Sequence, residues 1–187
     1  MTRTADAADS GFVDARNRLQ PALLDRLCDD ARGELREPDA CRTMTKAQLR
    51  QAVLRDLGAL FNAVQPLGAW ALENSRAHPH PHPHVADSVL NFGLPALSGQ
   101  LASTLDVHQL ERAIRDAIVR YEPRILAATL QVRALEASSV LDTHNVIEFE
   151  IRGHLWSQPV ALEILLRTQL DLEGGQVAIV DSAARGR

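Results

Sequence analysis

The spacing of apolar residues changes from a helical period to a strand period near residue 124, and no other feature limits the possible folds as strongly. Before that point, apolar residues recur every three or four positions over 49–64 and over 107–121. This spacing predicts two amphipathic helices. Thr45 and Gln48 fit a capping box, in which each side chain binds a free backbone amide at the start of the first helix.

Beyond residue 124, apolar and polar residues alternate, which predicts strands with one buried face. The alternating segments are 130–135, 147–152 and 166–172. The Gly-Gly pair at 174–175 predicts a turn and a fourth strand over 177–180. Strands joined in sequence by short turns form an antiparallel sheet. Helices followed by a small antiparallel sheet define the α+β class.

The remaining sequence predicts one domain with polar ends. Residues 1–44 are interpreted as an N-terminal arm with a short helix and a linker, and residues 45–182 as the α+β domain. Residues 183–187 are a tail. Within the arm, leucines are spaced to share one helix face. They are Leu19, Leu23, Leu24 and Leu27.

Charge and cysteine content exclude several classes of protein. The net charge is −4 with both signs mixed along the chain, so no nucleic-acid partner is predicted. No apolar run approaches the ~18 residues of a membrane span, and the N-terminus lacks a signal-peptide core. Cys28 and Cys41 are predicted to be reduced thiols. The predicted location is therefore the cytoplasm, without membrane insertion.

Histidine and proline alternate over residues 78–84. Alternating prolines predict an extended segment. Imidazoles can bind zinc, nickel or copper, but a closed site needs ligands that converge on one point. No cysteine or carboxylate lies beside the run, so we interpret it as a linker. The sequence predicts no metal site and no cofactor.

A loop over 91–99 combines apolar residues with turn-forming residues. Phe92 and Leu94 favour burial, so we expect Asn91, Phe92, Gly93 and Leu94 to form a packed structural loop. We expect both apolar side chains to be mostly buried. Gly93 is expected to adopt a backbone angle that other residues resist.

Catalytic patterns are lacking. A glycosidase needs two carboxylates across a cleft, ~5 or ~6.5–9.5 Å apart. Glu122 is the only acid in a distinctive setting, and Arg124 nearby would favour its charged form, which is wrong for a general acid. No nucleophile elbow, phosphate loop or zinc-protease motif is present. The sequence predicts a protein that is not an enzyme, with a lysozyme-type peptidoglycan hydrolase as the alternative and an unrelated adaptor as a third possibility.

Three motifs occur in order along the chain. They are Leu23-Leu-Asp-Arg-Leu27, Val89-Leu-Asn-Phe-Gly-Leu-Pro-Ala-Leu-Ser-Gly99 and Tyr121-Glu-Pro-Arg124. Together they resemble the TssE family of type VI secretion baseplate subunits and the related wedge proteins of contractile phages. The resemblance covers about residues 19–180. Phe92 stands where the family usually has tyrosine.

The resemblance implies a non-catalytic baseplate subunit. Such proteins join the wedge with TssF, TssG and TssK, at the cytoplasmic face of the inner membrane, and provide a template for the sheath proteins TssB and TssC. It implies that Glu122, Pro123 and Arg124 bind a wedge partner, and that Ile179, in a terminal strand expected at the sheet edge, binds the sheath. Arg124→Ala is expected to leave a folded protein that no longer joins the wedge. The alternative is that Glu122 and Arg124 only pair with groups of their own domain, in which case Arg124→Ala would unfold the protein.

Overall fold

The computed structural model describes residues 19, 21–27, 43–66, 83–86, 88–97, 106–135, 146–157 and 160–181. Its helices are α1 (Leu23–Leu27), α2 (Lys46–Phe61), α3 (Pro83–Ala86) and α4 (Val107–Tyr121). Its strands are β1 (Gln131–Ala134), β2 (Val146–Leu155), β3 (Leu162–Asp171) and β4 (Val177–Asp181). Short 3₁₀ turns cover Val89–Asn91 and Ala127–Thr129. Among the described helices, none is both long and apolar enough to cross a membrane.

α2 begins with the predicted capping box. The Thr45 hydroxyl accepts a hydrogen bond from the Gln48 amide at 3.2 Å, and the Gln48 side chain accepts one from the Thr45 amide at 2.8 Å. Both bonds satisfy donors that a helix start otherwise leaves unpaired. The helix then buries the apolar stripe that the sequence predicts, and ends at the cap residue Asn62.

We predict that Thr45→Ala lowers the unfolding free energy by about 1 kcal/mol, because the substitution removes the cap oxygen. Urea denaturation followed by circular dichroism measures the loss. Gln51→Ala, at an exposed position of the same helix, is the control. Equal stability of the two variants would show that the cap does not stabilise the helix.

α4 carries the second apolar stripe. The Asp106 side chain caps it by accepting from the Gln109 amide at 3.1 Å. Leu110, Ile114 and Ile118 are buried on one face, as their spacing predicts.

The sheet is an antiparallel meander with the order β1-β2-β3-β4. Alternate residues of the central strands are buried, and the buried residues of both long helices join them in one hydrophobic core. Central examples are Phe149, Ile151 and Leu166, each 1% exposed or less. Helices followed by a four-stranded antiparallel sheet confirm the predicted α+β class.

The prediction for the N-terminal leucines is corrected in part. The helix covers only Leu23–Leu27, and Leu19 lies before it, where its carbonyl accepts from the Met44 amide at 2.8 Å. Pro21 explains the difference, because a proline favours extended backbone in the residue before it. Leu19 packs against the core, whereas the three leucines of α1 are exposed.

The extended histidine-proline segment is also corrected where the structure describes it. Pro83 and His84 lie in α3. Proline is tolerated in the first turn of a helix, because its missing N–H has no partner there. Residues 78–82 lie outside the described part of the chain. Among the described residues, no group of three or more His, Cys, Asp or Glu side chains could hold a metal ion.

Candidate functional site

Glu122, Pro123 and Arg124 form a charged corner where α4 ends. The Arg124 Nε donates to Glu122 Oε1 at 2.6 Å, and Nη2 donates to Glu122 Oε2. The Arg124 backbone amide also donates to Glu122 Oε1, at 3.2 Å. Glu122 is only 3% exposed, while Pro123 is exposed. A buried carboxylate is thus neutralised by a guanidinium two residues away, on backbone that the proline stiffens.

A second carboxylate reaches the corner from α2. Asp56 Oδ2 accepts from Arg124 Nη2, and Asp56 Oδ1 accepts from Arg55 at 2.9 Å. Arg55 in turn pairs with Asp25 of α1 at 2.6 Å. Hydrogen bonds to Glu122 raise the pKa of the Arg124 guanidinium above its already high usual value. The corner is therefore the inner end of a chain of alternating charges that reaches α1.

Arg124 keeps some capacity for a partner. Its side chain is 24% exposed, and Nη1 makes no hydrogen bond to any residue within the described ranges. A guanidinium has five N–H donors in a planar fork. Arg124 can thus keep its ion pairs within the protein and also contact a partner protein. The binding role of Glu122, Pro123 and Arg124 stays a prediction.

Trp156 lies beside this corner and was not singled out by the sequence. Its amide donates to the Arg124 carbonyl at 2.7 Å, and Ile125 pairs with Leu155 in an antiparallel bridge. The Trp156 side chain is 52% exposed. Exposed tryptophan beside arginine is typical of the residues that contribute most to protein interfaces. In the sequence, Asp56 could be recognised as a polar residue outside the apolar face of α2. No local pattern connects Trp156 to residue 124.

The loop of Asn91, Phe92, Gly93 and Leu94 packs against the end of α2. The Leu94 amide donates to the Ala63 carbonyl at 2.9 Å, and Leu94 is 3% exposed. Gly93 has a φ of 128°, a region that side chains disfavour. The expected burial of Leu94 and the unusual angle of Gly93 are confirmed.

Phe92 also packs against the core, less deeply than Leu94. Its ring lies edge-to-face against Tyr121 at a centroid distance of 5.3 Å. The Tyr121 hydroxyl lies within hydrogen-bonding distance of the carbonyls of Ser88, at 3.0 Å, and Asn91, at 2.8 Å. The loop is thereby tied to the last residue of α4, next to the charged corner.

β4, the strand that contains Ile179, lies at one edge of the sheet, where the terminal strand was expected. Its first residue is blocked by Asn62, whose side-chain amide donates to the Val177 carbonyl and accepts from the Val177 amide, both at 3.0 Å. The other edge strand, β1, is capped in a similar way. The Ala134 amide donates to Glu111 Oε1 of α4 at 2.7 Å. Side chains from the helix layer thus reduce the number of open backbone groups at both edges.

The cap on β1 predicts a pH dependence of stability. The Ala134 amide, and then His108, lower the pKa of Glu111 below its ordinary value of 4.5. A group whose pKa is lower in the folded state stabilises the fold above its ordinary pKa. That contribution is lost as the pH falls through the lowered value.

We therefore expect the stability difference between wild type and Glu111→Gln to be larger at pH 7 than at about pH 3. Urea denaturation at both values measures this difference. Asp116→Asn, whose side chain is 70% exposed, is the control. A difference that is independent of pH would contradict the assignment.

The corner and the edge occupy different elements, and α2 contacts both. Asp56 on α2 binds Arg124, and Asn62 at its end binds Val177. One rigid helix therefore connects the two predicted binding regions.

The described residues do not form a glycosidase site at the corner. Glu122 and Asp56 converge, but both accept from Arg124, which lies between them. A general acid must carry a proton and reach a scissile bond. Glu122 is instead buried against a permanent cation.

Comparison with known proteins identifies the family. The sequence model of the family described as "Baseplate wedge protein gp25" matches residues 47–160. This range covers more than half of the chain and includes all but the first residue of α2, the loop, α4, the corner and β2. The chain therefore belongs to the baseplate wedge protein gp25 family.

One solved chain, from "The baseplate complex from the type VI secretion system", is 20% identical with a TM-score of 0.40, covering 66% of this chain and 94% of that one. A similarity of this size is too low to support a functional assignment, which rests on the family match alone. Curated proteins yield no match.

Proposed function

We propose that this protein is a non-catalytic, TssE-like baseplate subunit of a type VI secretion system. It joins the wedge through the charged corner and provides a template for the contractile sheath at the β4 edge. The observation that carries the proposal is the wedge-family match over 47–160, which contains the Glu-Pro-Arg corner. The proposed partners are TssF, TssG and TssK in the wedge and TssB and TssC in the sheath, in the cytoplasm.

Exposed apolar side chains support an assembly role. Leu23, Leu24 and Leu27 on α1 are 72%, 54% and 72% exposed. Trp156 at the corner is also exposed. Grouped apolar side chains at a surface are typical of sites that another protein covers.

The corner offers the chemistry for a wedge contact. Buried Glu122 and the partly exposed Asp56 hold the Arg124 guanidinium in one position, so little conformational entropy is lost when a partner binds it. The open Nη1 group fits a carboxylate or carbonyl oxygen.

Arg124→Lys is the variant that tests wedge binding. Lysine keeps a cation beside Glu122 but has no planar fork. We expect the variant to remain folded and to lose co-purification with TssF and TssG. Arg112→Lys, at an exposed position of α4, is the control. Normal co-purification of the Arg124 variant would show that the wedge binds elsewhere.

The hydrolase alternative has its own test. The proposal predicts that purified protein releases no fragments from peptidoglycan. If wild-type protein releases fragments and the Glu122→Gln variant does not, the protein is a hydrolase and the proposed structural role is wrong.

A further inference from the structure

We propose that Asn62 sets the register in which a partner strand pairs with β4, by occupying the first open position of this edge. The inference rests on the proposed function, since it assumes that an extended strand of a sheath subunit adds to β4. It goes beyond that function because it identifies which backbone groups the incoming strand uses. It also assigns a specificity role to a residue outside the sheet.

The hydrogen-bond pattern of β4 follows from its pairing with β3. Antiparallel pairs alternate between those that exchange hydrogen bonds and those that do not. The Asp171 amide donates to the Gln176 carbonyl at 2.9 Å, so this pair is hydrogen-bonded. The next pair, Leu170 with Val177, is therefore not hydrogen-bonded, and the Val177 N–H and C=O point away from β3.

The same alternation applies to the rest of the strand. Thr168 pairs with Ile179 and Leu166 with Asp181, two and four positions beyond Val177. The N–H and C=O groups of Ile179 and Asp181 therefore also point outwards. Within the described part of the chain, neither residue has a side-chain or loop partner for these groups. The open edge thus consists of Ile179 and Asp181.

Asn62 closes the remaining position. Its side-chain amide presents one acceptor and one donor to Val177, as a peptide group of a neighbouring strand would. The side chain is itself fixed, because Nδ2 also donates to the Gly58 carbonyl at 2.8 Å. The Asn62 amide binds the same carbonyl at 3.2 Å. The cap is thus part of the end of α2.

A cap at this place prevents a specific error. If the partner strand slips by one residue along β4, each of its side chains turns to the opposite face of the sheet. The alternation of apolar and polar side chains therefore excludes this register. A slip of two residues keeps every side chain on its face, and pattern alone does not exclude it. Asn62 excludes the two-residue slip towards the turn, because a strand in that register would need the groups of Val177.

Two proline variants test the register. Proline removes an outward N–H without removing a β3–β4 hydrogen bond at either Val177 or Ile179. We expect Val177→Pro to form sheaths at the wild-type frequency in cells and Ile179→Pro to form almost none. Both variants should co-purify with TssF and TssG. Thermal unfolding of both proline variants, followed by circular dichroism, controls for a loss of folding.

The outcomes separate the two claims. If both proline variants block sheath formation, the partner strand displaces Asn62, and the register inference is wrong although edge templating stands. If neither blocks it, edge templating itself fails, and this inference fails with it.

A second measurement needs no partner. Amide hydrogen exchange of the full chain, measured by NMR, should be slower at Val177 than at Ile179 by roughly fivefold or more. Asn62→Ala should remove most of that difference. Equal exchange at both amides in the wild type would overturn the inference even if the proline variants fail to fold.

Discussion

Replacing Gly93 with alanine is expected to destabilise the protein by roughly 2–6 kcal/mol, which combines backbone strain with overpacking. The φ of 128° is disfavoured for any residue with a Cβ. That Cβ would also lie 2.4 Å from the Ala63 carbonyl oxygen, a backbone atom that cannot rotate away. Since Leu94 binds the same carbonyl, the loop would have to leave α2.

Chemical denaturation of purified protein measures this loss. Gly58→Ala is the matched control, because nothing lies within 4 Å of its added Cβ in α2. It should raise stability by about 0.5–1 kcal/mol, as expected for a helix interior. A Gly93→Ala variant as stable as wild type would show that the loop does not dock as described.

Arg124→Ala is expected to destabilise the protein by roughly 3–5 kcal/mol, because it leaves a buried carboxylate without its cation. The Glu122 side chain is 4% exposed, so in the fold its charge is stabilised by the guanidinium rather than by water. This expectation differs from the one drawn from the sequence, in which the variant stays folded. The structure shows an internal ion pair that sequence could not quantify. Thermal unfolding followed by circular dichroism provides the measurement.

A double variant shows whether the loss comes from the unpaired charge. Glu122→Gln combined with Arg124→Ala removes both charges and should be more stable than Arg124→Ala alone. If the double variant is the less stable of the two, the cost arises from lost packing. If Arg124→Ala melts at the wild-type temperature, the pair contributes nothing to folding, and the alanine variant becomes a clean test of wedge binding.

The long elements could be predicted from the sequence because each buries one face. The period of 3.6 from Leu49 and the period of 2 from Leu130 depend only on that burial. The capping box of Thr45 and the turn at 174–175 are local signals and were also predictable.

Contacts between distant segments were not predictable in the same way. Asp56 binds Arg124 from 68 residues away, and no spacing rule connects them. Trp156 reaches the corner only because Ile125 pairs with Leu155. The edge-to-face contact between Phe92 and Tyr121 likewise joins two segments that no spacing in the sequence connects. Each of these depends on tertiary packing.

The bond between Asn62 and Val177 joins positions 115 residues apart, while every strand of the meander pairs with its neighbour in sequence. Closing a long loop costs more chain entropy than closing a hairpin, so local pairings form earlier in folding. We therefore expect the hairpins to form before α2 reaches β4. During that interval the whole β4 edge is open, and slow folding or high concentration would favour aggregation of an intermediate rather than of the native protein.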